Sequence, residues 1–247
     1  MDDSAKSEYF DVIDIQDDFI VVNKASGVNF HDESELGQGL FNLVSEQFNQ
    51  SGTEKLFPVH RLDKMTSGLI VFARNLISAQ KFQQLFSQHD IEKYYLAISD
   101  KKPKKKQGLI KGDMEKSRRG SWKLLRTQKK PAISQFFSYA LTKGKRLYLI
   151  KPHSGKTHQI RVALSSIGAP ILGDERYYGL SNVNNTNNAN NGEDRGYLHA
   201  YALKFIFNGH PYHYVLPPSR GEHYIETPTL NQLEALQTPW LLNWPKV

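Results

Sequence analysis

The chain contains no cysteine, so disulfides and thiolate metal sites are excluded at the outset. It has no long apolar run at the N-terminus or elsewhere, and with that goes the sequence signal for a membrane helix or a secretory leader. The G-x-x-x-x-G-K-[ST] phosphate loop and the dinucleotide fingerprint are missing too, so no motif points to nucleotide-driven chemistry. No unit repeats along the chain. Acidic residues are in deficit: 25 Asp and Glu face 32 Lys and Arg, giving a formal charge of +7 and a pI near 9.3. What is present is a basic chain of 247 residues, 39% hydrophobic, long enough to bury a sizeable core. The expectation is a soluble, cytoplasmic, monomeric protein folded as a single domain over 1–247, with a surface suited to phosphates.

Nine histidines call for a metal test. His153 and His158 are five apart and His210 and His213 three apart, and neither pair joins a carboxylate in a familiar ligand spacing. No metal site is therefore expected, and His210 to His213 read as a turn between two late strands.

The densest chemical signal is HRLDKMTSGLIVFA, residues 60 to 73. It sets Asp63 beside an arginine, Arg61, ahead of a Ser-Gly turn and an apolar, β-branched strand, so a polar cluster should sit where sheet meets cleft. On this segment alone a surface Arg/Asp pair stands level with a catalytic one. A second segment, KPHSGKTHQIRVALSSIGAPILGDERYYG, spans 151 to 179. From Thr157 onward Ile160, Ala163, Leu164 and Ile167 fall at helix spacing and form one buried stripe. Arg161 adjoins that stripe, and a desolvated guanidinium there needs a carboxylate or phosphate partner. The third segment, Glu92 to Ile98, is a strand-like run carrying Tyr94 and Tyr95, which by themselves read as packing residues.

Taken together and in this order, the segments resemble the RluA-type family of RNA pseudouridine synthases. The family pattern has HRLD-x-x-T-S-G, then K-x-Y-hydrophobic-Ala, then G-R-T-H-Q-I-R followed by G-x-P-I-x-G-D-x-x-Y. An earlier N-K-P-x-G-x-x-x-H element is matched by Asn23 to His31, and a late L-H-A by Leu198-His199-Ala200. The likeness runs from about Phe19 to Phe207. It implies an isomerase that breaks the bond from uracil N1 to ribose C1′, turns the base and rejoins it through C5, with no cofactor, no nucleotide and no membrane. The partner implied is tRNA or rRNA. By the same resemblance Asp63 is the catalytic aspartate, attacking the sugar or assisting loss of a sugar proton on a route through a glycal. Arg161 is its charged partner. Tyr95 is the active-site tyrosine, offering a flat ring to uracil and a phenol able to move a proton. The fold implied is α+β: a curved, largely antiparallel mixed sheet flanked by helices and loops, with the active site in a central cleft.

Two positions depart from the pattern. Ala25 stands where proline is usual, and Lys156 replaces an arginine, keeping charge without the bidentate fork. His158 and Gln159 stand open between touching RNA and fixing a helix start, and His60 and Arg61 between binding substrate and bracing their loop. The run Lys101, Lys102, Lys104, Lys105 and Lys106, continued by Lys111, Lys116, Arg118 and Arg119, is read as a basic loop over about 101–119 that grips RNA, Lys104, Lys105 and Lys106 above all. An Asn-rich stretch, NVNNTNNANN from Asn182 to Asn191 within an insert over about 181–194, is expected to be a mobile surface loop. About twenty residues precede the first motif, too few for the small N-terminal RNA-binding domain carried by some relatives.

Strands are expected around Phe19 to Asn23, Leu69 to Ala73, Tyr95 to Ile98, Ile133 to Ala140, Arg146 to Ile150, Leu198 to Phe207 and Tyr212 to Leu216. Helices are expected over Leu36 to Phe48, Ser78 to Gln88 and Thr157 to Ile167, with a short one at Leu230 to Leu236 and a capping tail of Trp240 and Trp244. The competing functional class is a catalytically silent RNA-binding protein, which would need only the basic surface. A metal-dependent nuclease would need a carboxylate or histidine cluster that the sequence does not offer.

Overall fold

The computed structural model describes residues 8–32, 36–49, 55–178 and 192–247, so the Asn-rich stretch from Asn182 to Asn191 lies outside the described residues. Among these the strands are β1 (Phe10–Ile15), β2 (Phe19–Lys24), β3 (Phe57–Pro58), β4 (Thr66–Ala73), β5 (Glu92–Ser99), β6 (Gln107–Gly112), β7 (Met114–Lys116), β8 (Trp122–Leu124), β9 (Ala132–Ala140), β10 (Arg146–Pro152), β11 (Leu198–Phe207) and β12 (His210–Val215). The helices are α1 (Leu40–Phe48), α2 (Leu76–Gln88), α3 (Gln159–Ser166), α4 (Glu222–Ile225) and α5 (Thr227–Glu234).

Ten strands form one sheet in the order β1-β2-β4-β11-β5-β10-β9-β6, with β12 added to β11 and β3 to β4, while β7 and β8 make a separate hairpin. Every pairing is antiparallel except that of β11 with β4. This is the α+β architecture that the sequence implies.

Strand alternation decides where the core lies. Along β2 and β4, Ile20, Val22, Ile70 and Phe72 pack into one cluster with α1, whereas Phe19, Val21, Leu69 and Val71 pack into another with α2 and β12. A strand buried on both faces reads as a continuous apolar run, and all eight residues of β4 are buried. A third cluster gathers β5, β10, α3 and the C-terminal segment. Trp240 meets Tyr94 edge-on and Trp244 meets it tilted, with ring centroids 6.4 and 5.7 Å away, so the tail caps this core as expected. Tyr95 packs against the first and third of these clusters and stands at their seam.

Among the boundaries that differ from expectation, three have a clear local reason. α3 begins at Gln159 rather than Thr157 because His158 takes a left-handed conformation, φ 57°. α1 begins at Leu40, not Leu36: Asp32 accepts the N–H groups of Gly37 and Gly39 at 2.8 and 2.7 Å, and that turn replaces the first helical turn. His210 to His213 do not form a turn; they begin β12, and the turn is Asn208-Gly209, φ 49° and 82°, the two-residue hairpin for which Asn-Gly is the preferred pair.

Candidate active site

The floor of a cleft of about 500 Å³ is laid where the starts of β4 and β11 run in parallel, Thr66 opposite Leu198, with β5 along the other side of β11. That approach is close. A Cβ on Gly68, φ 104°, would stand 2.3 Å from the Ala200 carbonyl oxygen, so only glycine fits there. Ser67 and Gly68 therefore lie inside β4 and do not form the turn expected from the sequence.

Asp63 sits one short step before β4, its carbonyl accepting the Thr66 N–H at 3.0 Å. The next two carbonyls are clamped from β2 and the turn after it. Lys64 O accepts from Gly27 N at 2.9 Å and from Lys24 Nζ at 3.1 Å, and Met65 O accepts from Ser26 Oγ at 2.8 Å. Lys24 is wholly buried, and its ammonium also donates to Ala25 O and Val28 O at 2.8 and 2.7 Å. Its three donors are thus spent on three carbonyls. Burial, and then the charge of Arg195, push its pKa down to about 7, while Asp63 pulls upward.

Arg161, on the first turn of α3, closes the cleft from the opposite side. Its Nε and Nη2 donate to the two oxygens of Asp174, both at 2.8 Å, and its Nη1 donates to Asp63 Oδ2 at 3.3 Å. Asp174 is fully buried and Arg161 nearly so. Burial by itself would lower the arginine's pKa, but the hydrogen bonds and charge of Asp174, with Asp63 adding, raise it overall. The guanidinium lies 5.0 Å from the Tyr177 ring centroid. Tyr177 Oη accepts the Trp122 N–H at 2.9 Å and meets His158 Nδ1 at 2.9 Å. Asp174 and Tyr177 carry no expected role from the sequence, although both stand in the I-x-G-D-x-x-Y segment. Tyr95 lines the cleft with Asp63. Burial, and then the Asp63 charge, raise its pKa, so its phenol stays protonated at neutral pH.

The remaining named residues divide. His60 lines the cleft, yet its Nε2 accepts the Val71 N–H at 2.9 Å, so its proton is on Nδ1. Burial, with Lys93 nearby, pushes its pKa down to about 3. Gln159 is buried and fully engaged: Oε1 accepts from Ser154 Oγ and Lys156 N, and Nε2 donates to Ile133 O and Ser134 Oγ. Lys156 lines the rim and donates to Lys130 O at 2.7 Å. Arg61 lines the cleft with an exposed side chain. Lys104, Lys105 and Lys106 are exposed and are not among the lining residues. From Tyr95 to Ser99, β5 carries the chain about 13 Å away before the basic run begins. Nor is 101–119 one loop: it contains the edge strand β6 and opens the β7–β8 hairpin, whose second strand, beyond the segment, brings Trp122 to Tyr177. Among the described residues no three His, Asp or Glu side chains gather as metal ligands, and no helix is long and apolar enough to cross a membrane.

Comparison with known proteins follows the same geometry. The sequence model described as RNA pseudouridylate synthase matches residues 18–166. A Haemophilus influenzae protein described as an uncharacterized RNA pseudouridine synthase is 46% identical over 221 residues, covering 90% of this chain and 93% of that protein. The ribosomal large subunit pseudouridine synthase C of Rickettsia bellii is 33% identical over 165 residues, covering 65% of this chain and 54% of that longer protein. In fold, the chain is similar to the human RNA pseudouridylate synthase domain containing 1, with a TM-score of 0.72 at 22% identity over 97% of this chain and 98% of that one.

Proposed function

We infer, for a chain that belongs to the RluA-type RNA pseudouridylate synthases and is thereby an isomerase acting on RNA, that Asp63 is the catalytic carboxylate and that Tyr95 and Arg161 complete its site. The observation that carries this reading is the hold on Asp63. Its oxygen accepts from the third nitrogen of a guanidinium whose other two nitrogens are fixed by buried Asp174, at the floor of a cleft shared with a neutral tyrosine. Such an arginine aims the carboxylate and keeps a fixed positive charge beside it when substrate displaces water.

Two chemical routes start from that ionised carboxylate. In one Asp63 attacks ribose C1′ and the uracil leaves as an anion; in the other it assists loss of a sugar proton to give a glycal. In both the freed base turns over a flat neighbour, the Tyr95 ring, before C5 bonds to C1′. That bond releases Asp63 on the first route or follows return of the proton to the sugar on the second, and C5 then gives up its proton as N1 gains one. The protonated phenol of Tyr95 donates a hydrogen bond and does not serve as a ready base at neutral pH. The target nucleotide is flipped out of its stack, since Asp63 in a cleft does not reach a sugar carbon inside an intact helix. His60, His158 and Gln159 brace the site, Arg61 and Lys156 stand at the rim for RNA, and Lys104, Lys105 and Lys106 are an outlying phosphate contact.

The substrate is structured RNA, tRNA or rRNA, modified by a single catalytic domain that works as a cytoplasmic monomer without metal or nucleotide. The name of the Rickettsia relative puts the large ribosomal subunit first among RNAs to examine. The test is pseudouridine mapping in cells carrying or lacking the gene, with purified wild-type and Asp63→Asn protein added back to RNA from the deficient cells. A uridine modified by wild-type protein alone supports the reading. Equal modification by the Asp63→Asn protein would sink it.

A further inference from the structure

Arg61, Lys93, Lys156 and Arg161 bring four cationic side chains to the cleft lining, and three of them are accounted for. Arg161 is held by two carboxylates, Lys156 donates to a backbone carbonyl, and Arg61 is hydrated at the exposed rim. Lys93 differs. It lies two residues before Tyr95 on β5, so both side chains leave the same face, about 7 Å apart along the strand. Its ammonium stands 5.5 Å from the Phe86 ring centroid. The neutral His60 packs on the same ring, the two ring centroids being 4.8 Å apart. Among the described residues Lys93 meets no carboxylate, and Asp63, the one carboxylate in the cleft lining, faces Arg161. Burial lowers the Lys93 pKa and no acidic neighbour offsets it.

An ammonium largely withdrawn from water without an anion is costly to keep, unless an anion arrives with the substrate. RNA brings one on each side of every nucleotide. We propose that Lys93 is a phosphate-binding residue of this cleft, holding a phosphodiester adjacent to the uridine that lies against Tyr95. The proposal rests on the pseudouridine synthase reading for which nucleotide occupies the cleft. Lysine is well matched to this role, because a compact point charge follows a phosphate as the nucleotide swings in, where a guanidinium fork would demand one fixed orientation. The aromatic face beneath it keeps the ammonium in place while the cleft is empty.

The experiment measures binding of a single-stranded RNA decamer containing one uridine. The decamer is used unmodified and with a neutral methylphosphonate at the linkage 5′ or 3′ of that uridine, from low to moderate salt. For wild-type protein, one of the two substituted decamers should bind about tenfold more weakly. Lys93→Met should bind the unmodified decamer about tenfold more weakly, with a logarithmic salt slope smaller by about 0.7, the value for one phosphate contact on a single strand. It should also be indifferent to the methylphosphonate, and Lys93→Arg should recover most of the affinity. Equal binding of all three decamers by wild-type protein would overturn the proposal. So would weaker binding by Lys93→Met with an unchanged salt slope, which would mark Lys93 as packing on Phe86. If Lys93→Met does not fold, the three decamers on wild-type protein still decide. Pseudouridine formation in total RNA is followed in parallel. Its absence sinks the synthase reading alone, because the salt slopes judge Lys93 by themselves.

Discussion

Arg161 turns two of its nitrogens to a carboxylate that never meets water and the third to Asp63, and this asymmetry sets what each substitution does. Asp63→Asn keeps the shape of the side chain and loses its charge, so the fold should stand while turnover falls by on the order of a thousandfold or more. Single-turnover pseudouridine formation, beside an unchanged melting temperature, checks it. Asp174→Asn should do the reverse in order of severity. It leaves a buried guanidinium half-paired, at a cost of about 3–5 kcal/mol, and frees Arg161 to rotate away from Asp63. A urea midpoint that does not move in Asp174→Asn would show that the pair contributes nothing. Asp63 was legible because four polar and charged residues, His60, Arg61, Asp63 and Lys64, crowd into five positions ahead of an apolar strand, in a segment that resembles the family pattern. Asp174 was not. Its partner is thirteen residues earlier, across the end of α3, and only the left-handed His158 and the return of the chain bring them together. Lys24 was illegible for another reason: a lysine at a strand end is usually exposed, and its burial follows from three carbonyls that only tertiary structure assembles.

At the scale of elements, the longer helices and the more apolar strands could be read from period, whereas β1, β3, the one-turn α4 and the basic strands carried no expectation. β2, β4, β10 and β11 are long apolar runs; QGLIKG, MEK and WKL carry one or two apolar residues each and show no usable alternation. β6 is a strand because β9 presents an edge to it, and β7 and β8 pair with each other. The consequence for the site is the link from β8 to Tyr177. The phenol holds the Trp122 N–H and His158, and the ring lies beside Arg161. Tyr177→Phe keeps the ring and releases the hairpin, so RNA should bind several-fold more weakly and the loss should fall on KM. Tyr177→Leu also removes the face beside Arg161, so kcat should fall as well. If both variants change kcat and KM in the same proportion, the hydroxyl and the ring have no separate roles and the hairpin is not tethered through the phenol.

For the whole molecule the governing quantity is proton uptake on unfolding, and two histidines dominate it from opposite ends of β4. His60 Nε2 accepts the Val71 N–H, and His199 is bonded to Ser67 Oγ at 2.7 Å through Nδ1 and to the Leu216 carbonyl at 2.8 Å through Nε2. Since a carbonyl only accepts, Nε2 of His199 carries the proton and Nδ1 accepts from the serine, which in turn receives Arg195 Nη2 at 2.6 Å. Protonating His60 would point N–H against N–H, and protonating His199 would force the Ser67 hydroxyl to turn away and accept from two cations, the ring and Arg195. Burial pushes both pKa values down to about 3. Each therefore sits below its unfolded value near 6.5, and the unfolded chain binds the extra protons between about pH 3 and 6.5. The stability tied to these two rings is fully present above pH 6.5 and drains away as pH falls through that window, ahead of most carboxylates. Two protons at 1.36 kcal/mol per unit, with half-titration at the upper edge, amount to roughly 2 kcal/mol lost between pH 6.5 and 5.5. Urea midpoints measured across that interval should fall accordingly. In a His60→Gln, His199→Gln double variant the midpoint should start lower, because the glutamines fit the acceptor positions imperfectly, and should stay nearly level with pH. A wild-type midpoint that is flat from pH 7.5 to 5.5 would mean that the folded protein accepts both protons, and that β4 is not braced by neutral imidazoles.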